Sequence, residues 1–342
     1  MAAIFTAVQE ELATIGLSLG SDGLSHQRSI LNGESSTNET TKTLLKDFRG
    51  IGIPESSGGD GGSLVDLVVF IESLARNVEP TNYVIHMAAV QVALGAGLDV
   101  SPAVAGNEIW TLGLCEKPGQ RWGEWGCSIS KDGVSVVKLG VPYAQNCQGV
   151  VIAGAKNEIA LVDQFSVTDR ASLDPSLQFC DVSISGKPRE IGKQTHLALL
   201  RGALVVSAEL VGVARGALQS ASEYAASRQQ FGQFIGSFQG IAHLLADAFV
   251  EVEAAWSLVL YSAWAVEESE ADAVVSTHSA IAKAGAAAIE VTEKCLQVFG
   301  GIGVTWEADA HLYIRRVLAL NAILGGYASH YRLTGQQLLA DQ

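Results

Sequence analysis

The chain has 342 residues, 48% of them hydrophobic and only 17% charged, with a formal net charge of −14 at pH 7. That length accommodates two or three domains around a large core, and the low charged fraction predicts that surface is buried against partner subunits as well as internally. The acidic balance speaks against a nucleic-acid or anionic-membrane surface, since both need clustered Lys and Arg to face phosphates.

Taken in order, residues 3–17 and 39–50 read as helices joined by a Ser/Gly/Asn-rich surface loop from Gly20 to Asn38. A helix then ends on glycine before Pro54-Glu55 and the glycines at 58–62, and a helix resumes from Asp66 to Arg76. Residues 82–105 carry apolar and small residues at helical spacing, with His86 expected as a structural side chain. From Glu108 the pattern shortens: 109–115, 126–130, 133–138, 150–154 and 159–163 are β-branched, punctuated by turns, and read as strands. After Gly192 the chain reads as helical again. Leu197, Leu200, Leu204, Ala208 and Val211 form one apolar stripe and Ile241, Leu245, Ala248, Val252 and Val259 another, followed by helices over 277–296 and 308–324. The expected fold is therefore mainly α with a β middle domain: an N-terminal helical domain (1–107), a short β-domain (108–192) and a C-terminal four-helix bundle (193–342).

The five cysteines form no Cys-x-x-Cys pair and have no histidine at zinc-ligand spacing, which fits reduced thiols in a cytoplasmic protein without a metal. No basic segment followed by an apolar core opens the chain, so no signal peptide is expected. The most apolar region, Leu197 to Leu218, is broken by Arg201, Ser207, Glu209 and Arg215 and reads as a buried amphipathic helix, not a membrane span.

Chemistry concentrates at two corners where a helix meets a glycine turn. Ala226-Ser-Arg-Gln-Gln-Phe-Gly-Gln-Phe-Ile-Gly-Ser-Phe-Gln239 closes a helix at Arg228, turns at Gly232 and Gly236 and reopens after Phe238-Gln239; Leu296-Gln-Val-Phe-Gly-Gly-Ile-Gly303 closes another. Arginine supplies a fork of donors suited to phosphate oxygens, glutamine supplies amide donors and acceptors, and glycine lets a ligand approach the backbone.

Arg228, Phe231, Gly232, Phe238, Gln239, Gln297, Phe299, Gly300, Gly301 and Gly303 match in order and spacing the FAD-binding signature that the chain shares, by resemblance, with the acyl-CoA dehydrogenase family. The stretch from Gly50 to Gly62 also resembles that family's turn between two N-terminal helices. The resemblance implies FAD as cofactor, an acyl-CoA thioester as substrate and an electron-transferring flavoprotein as electron acceptor. Two departures stand out. Leu114-Cys-Glu-Lys-Pro-Gly-Gln120 replaces a flavin-facing Thr-Glu-Pro segment, and Gly140-Val-Pro-Tyr-Ala-Gln145 replaces the aromatic segment that packs on the flavin ring, so the ring is not expected to rest on this chain's own β-domain.

Flavin-dependent dehydrogenation of a thioester needs a carboxylate to remove the α-proton. The positions that match the family's two locations for that glutamate are Gly325 and Leu200, so no catalytic residue is assigned. Glu209 and Asp247 are weak substitutes. The combination resembles the short subunits of heteromeric α2β2 bacterial steroid side-chain acyl-CoA dehydrogenases, in which a second subunit carries the glutamate. A homomeric dehydrogenase with a non-standard base and a flavin-free structural subunit remain open as alternatives.

Overall fold

The computed structural model describes residues 5–34, 39–156, 158–192 and 196–340. Ahead of the strands lie α1 (Ala7–Leu19), α2 (Gly23–Leu31), α3 (Glu39–Asp47), α4 (Leu64–Leu74), α5 (Tyr83–Gly95) and the short α6 (Ser101–Val104). Capping boxes set two of the starts. Thr6 with Gln9 opens α1 and Ser63 with Asp66 opens α4, each side chain satisfying an amide that the first helical turn leaves bare. Helix α5 is buried on every side from Tyr83 through Ala93, which explains why its sequence is apolar all round.

Seven strands follow: β1 (Trp110–Gly113), β2 (Val134–Pro142), β3 (Gly149–Ala153), β4 (Ile159–Val162), β5 (Phe165–Asp169), β6 (Phe179–Gly186) and β7 (Glu190–Gly192). They form two sheets, ordered β1-β3-β4-β7 and β2-β6-β5. Strands β1 and β3 pair in parallel, and the other described pairs are antiparallel. The alternation of side chains shows the layering. Val151, Ala153, Ile159 and Leu161 join the helical core, whereas Val150, Ile152, Ala160 and Val162 join a smaller core between the sheets. The four-stranded sheet is thus the middle layer between the helices and the second sheet.

The remaining helices are α7 (His196–Ser227), α8 (Gln239–Glu267), α9 (Ala273–Phe299), α10 (Ala310–Ile323) and α11 (Tyr327–Ala340), with a two-stranded hairpin, β8 (Gln229–Gln230) and β9 (Gln233–Phe234), between α7 and α8. At 32 residues α7 spans about 48 Å. It packs against α4, α5, α8, α9 and α10 and is the spine of the molecule. By length and composition alone it could cross a membrane, but 89% of its apolar window is buried inside the protein.

The mainly α fold with a β middle region is as expected, and three local expectations are corrected. The stretch from Gly20 is not a surface loop: α2 occupies Gly23–Leu31, and the buried Gln27 donates to Val78 O and Ser176 Oγ, both at 2.9 Å. Its one fully buried long side chain, Gln27, is polar, and Leu24 and Leu31 are only partly buried against the core, so no clear apolar stripe betrays the helix; residues 35–38 of that stretch lie outside the described residues. The segment 126–130 forms no strand beyond an isolated bridge between Ser130 and Gly133, because the Gly126 and Cys127 amides bond to the Glu116 carboxylate rather than to a ladder. A further helix, α11, packs on α9 beyond the four helices the sequence marks.

A buried polar cluster ties the layers together. Arg316 on α10, 1% exposed, donates to Asp174 Oδ2 (2.5 Å), Glu209 Oε1 on α7 (2.8 Å) and Ser176 Oγ (2.7 Å). Because Gln27 bonds the same Ser176 hydroxyl, one guanidinium joins the bundle, the strand region and α2.

Candidate cofactor corner and the small pocket

Helix α7 ends when the Arg228 amide bonds back to Tyr224 O at 2.8 Å. The chain then reverses in the β8–β9 hairpin, whose central residues Phe231 (φ 53°) and Gly232 (φ 81°) both have positive φ. Positive φ at both positions is the signature of a type I′ turn. Ile235 N–H returns to Arg228 O at 2.9 Å, and Phe238 caps α8, so Gln239 is its first residue. The second corner closes α9 at Phe299, with Gly300 at φ 63° leading into the turn Gly300–Val304.

The two corners meet. Tyr224 stacks on Phe299 with ring centroids 4.4 Å apart and planes at 19°. Around that stack lies an open concavity of about 410 Å³ lined by Arg228, Phe231, Phe238 and Phe299 among the expected residues. Phe231 is 94% exposed and meets Phe238 edge-on at 6.3 Å. Gly232 sits at the hairpin tip, Gln239 in the first turn of α8, and Gln297, Gly300 and Gly301 lie exposed at the end of α9 on either side of Phe299. Tyr224, Gln230, Ile235 and Val298 also line the concavity and were not singled out from sequence, as does Ile241, which the sequence placed only on an apolar stripe. Tyr224 was findable: it precedes Arg228 by four residues and so shares its helix face.

The Arg228 guanidinium is exposed and has no ion-pair or hydrogen-bond partner among the described residues. It stands beside the N-terminal end of α8, whose bare amides add positive potential. A free cationic fork, a helix N-terminus and an aromatic-lined wall are the donor set for an elongated, anionic, partly aromatic ligand, and FAD fits that description. No group of His, Cys, Asp and Glu among the described residues could hold a metal.

The segments that depart from the flavin-facing pattern lie elsewhere, together. Leu114, Cys115, Pro118 and Gly140 border a small cavity of about 170 Å³ between the strands and the end of α10, with Leu112, Leu139, Phe179, Ala322 and Ile323. Gly325 lies in the turn just past α10 at φ 71°; a Cβ built there would come 2.6 Å from Trp122 N. Leu200 is buried in the core. Glu209, considered as a substitute base, is committed to Arg316; burial raises its pKa in spite of that partner. Asp247 is exposed on α8.

The family model described as the C-terminal domain of acyl-CoA dehydrogenase matches residues 193–339. Acyl-CoA dehydrogenase IpdE2 of Mycolicibacterium smegmatis is 30% identical over 80% of this chain and 78% of its own length. The chain belongs to the acyl-CoA dehydrogenase family. Acyl-CoA dehydrogenase FadE34 of Mycobacterium tuberculosis is 30% identical over 81% of this chain, and the match spans 38% of that longer relative. Among solved structures, the ChsE4-ChsE5 complex from Mycobacterium tuberculosis superposes with a TM-score of 0.85 over 99% of both chains at 23% identity, which shows a common fold.

Proposed function

We propose that this chain is the FAD-binding, base-lacking subunit of a heteromeric acyl-CoA dehydrogenase that introduces an α,β double bond into a CoA thioester. One contrast carries the reading. The cofactor corner keeps every residue of its signature with Arg228 unpaired, whereas the position expected to hold the base is a glycine wedged under the Trp122 backbone.

In this reading Arg228 binds phosphate oxygens, the amides of Gln239 and Gln297 orient the cofactor, and Gly300 and Gly301 let it lie against the backbone. The chemistry supplied by FAD, when bound, is acceptance of a hydride from the acyl β-carbon, with electrons passing on to an electron-transferring flavoprotein. The glutamate that removes the α-proton comes from a second acyl-CoA dehydrogenase-like subunit, whose β-domain supports the flavin ring. Phe231, exposed at the hairpin tip beside the cofactor wall, is the side chain placed to meet that partner. A steroid side-chain thioester as substrate rests on the resemblance to the steroid-degrading subunits. Glu209 argues against a homomeric enzyme, since it is 3% exposed in the core with Oε1 bonded to Arg316, and an unpaired Arg228 has no role in a flavin-free scaffold.

The test is Arg228→Ala in the chain co-expressed with a glutamate-bearing partner. The proposal expects a several-fold lower flavin content of the complex at unchanged thermal stability of the apoprotein, since an exposed phosphate contact contributes affinity and not packing. Unchanged flavin content would sink it.

A further inference from the structure

The segment between β1 and β2 is not an idle loop. Glu116 accepts from the Gly126 and Cys127 amides at 2.8 and 3.2 Å and from Lys138 Nζ at 2.6 Å, with Lys138 fully buried. Gln120, itself buried, accepts from Glu116 N–H at 2.7 Å and donates to Leu114 O at 3.2 Å. Two internal turns, Gln120 N–H to Lys117 O and Glu124 N–H to Arg121 O, finish the fastening. The loop is therefore held from both ends and from within, and it presents two tryptophans inward.

Trp122 is 4% exposed and Trp125 8%, their rings packed edge to face at 5.6 Å. The Trp122 ring also lies on His330 of α11 at 5.0 Å. Its backbone covers Gly325, and Pro118 of the same loop borders the 170 Å³ cavity at the end of α10. Ligand pockets ordinarily occupy about 300–1,000 Å³, so what is left here is too small for an acyl chain or a fused ring. Any side chain at 325 and the present course of the loop exclude each other.

We infer that Trp122 is a specificity-determining plug: the segment Pro118–Trp125 occupies the room in which a thioester acyl chain would lie at this chain's own α10–α11 turn, so that half-site takes no substrate. The chain then offers one working half-site, the corner at Arg228, and keeps the other permanently filled. The inference depends on the proposed function only for the class of ligand excluded; the plug itself is a property of the folded chain.

Hydrogen exchange on the full chain tests it without any flavin. The hydrogen-bonded amides of Glu116, Gln120, Glu124, Gly126 and Cys127 are expected to exchange slowly, and saturating octanoyl-CoA is expected to leave them unchanged. Fast exchange of this segment, or its protection by octanoyl-CoA, would overturn the inference. Trp122→Ala is expected to speed exchange across 118–126 by roughly tenfold or more while peptides covering 228–239 and 296–303 are unaffected; a segment that stays protected would show that Trp122 does not hold it. Should the variant fail to fold, the wild-type measurement still decides. A chain that never binds FAD would end the proposed function and leave this result standing.

Discussion

Tyr224 and Phe299, 75 positions apart in the chain, stack at 4.4 Å and are the point where the two halves of the cofactor corner are joined. The stack fixes the end of α7 against the end of α9, and so sets the distance between Arg228 and the glycines that follow Phe299. Aromatic pairs of this kind contribute about 0.5–1.5 kcal/mol beyond their buried area. Tyr224→Leu keeps apolar volume and removes the stack. It is expected to lower unfolding free energy by about 1 kcal/mol and to speed flavin loss on dialysis of the complex, read by denaturant titration and by absorbance; unchanged flavin retention would contradict a positioning role.

Phe231 holds φ 53° at the first central position of the hairpin, a conformation that costs a bulky residue about 1–2 kcal/mol and that Asn-Gly adopts readily. Phe231→Asn is therefore expected to raise the melting temperature of the lone chain slightly and to weaken co-purification with the partner. A variant that loses stability would show that the exposed ring packs within its own chain after all.

Gly325→Glu is expected to destabilise the chain strongly and to leave it inactive alone. Positive φ and a Cβ 2.6 Å from Trp122 N both oppose the side chain, so Trp122 must move into water and its emission shift to the red. A stable variant that turned over acyl-CoA without a partner would overturn the plug and the claim that this chain's own β-domain does not support the flavin ring.

Among the described residues Arg316 is the one cation paired with the Asp174 and Glu209 carboxylates in the buried cluster. Arg316→Met leaves two buried carboxylates uncompensated, and a loss of about 3–5 kcal/mol or failure to fold is expected. Arg316→Met combined with Asp174→Asn and Glu209→Gln should recover much of that loss; equal stability of the single and triple variants would show that the charges are not what the arginine serves.

His86 is buried and accepts the Trp110 amide at Nδ1, with Nε2 lacking a partner among the described residues. Burial, reinforced by Arg49, lowers its pKa to about 4. Because the unfolded state binds the proton near pH 6.5 and the folded state does not, stability is complete above about 6.5 and falls as pH drops toward about 4, by up to about 3 kcal/mol. His86→Gln should flatten that slope in denaturation series across this range, and an unchanged slope would assign the acid sensitivity elsewhere.

The helices of the bundle and the corner residues were legible because each rests on local rules: apolar spacing, a positive-φ Gly232, a helix ended at Arg228. Helix α2 was not, since Leu24 and Leu31 are only partly buried and its anchoring hydrogen bonds, from Gln27 and His26 to Ser176 and Glu79, join polar partners distant in sequence. Strand β5 was missed because four of its five residues are exposed, which leaves no buried alternation to read. The departure of 114–120 from the flavin-facing pattern was visible in sequence. That Trp122 then fills the space under α11 was not, because it depends on where Gly325 and His330 stand in three dimensions.

The central claim is that this chain supplies a cofactor corner and needs another chain for the rest of the site. Its most direct test is the visible absorbance spectrum of the chain purified alone and co-expressed with a glutamate-bearing partner, each normalised to protein. Flavin absorbance that appears with the partner and is absent from the lone chain is the predicted result. Full flavin occupancy in the lone chain, or none in either sample, would contradict it.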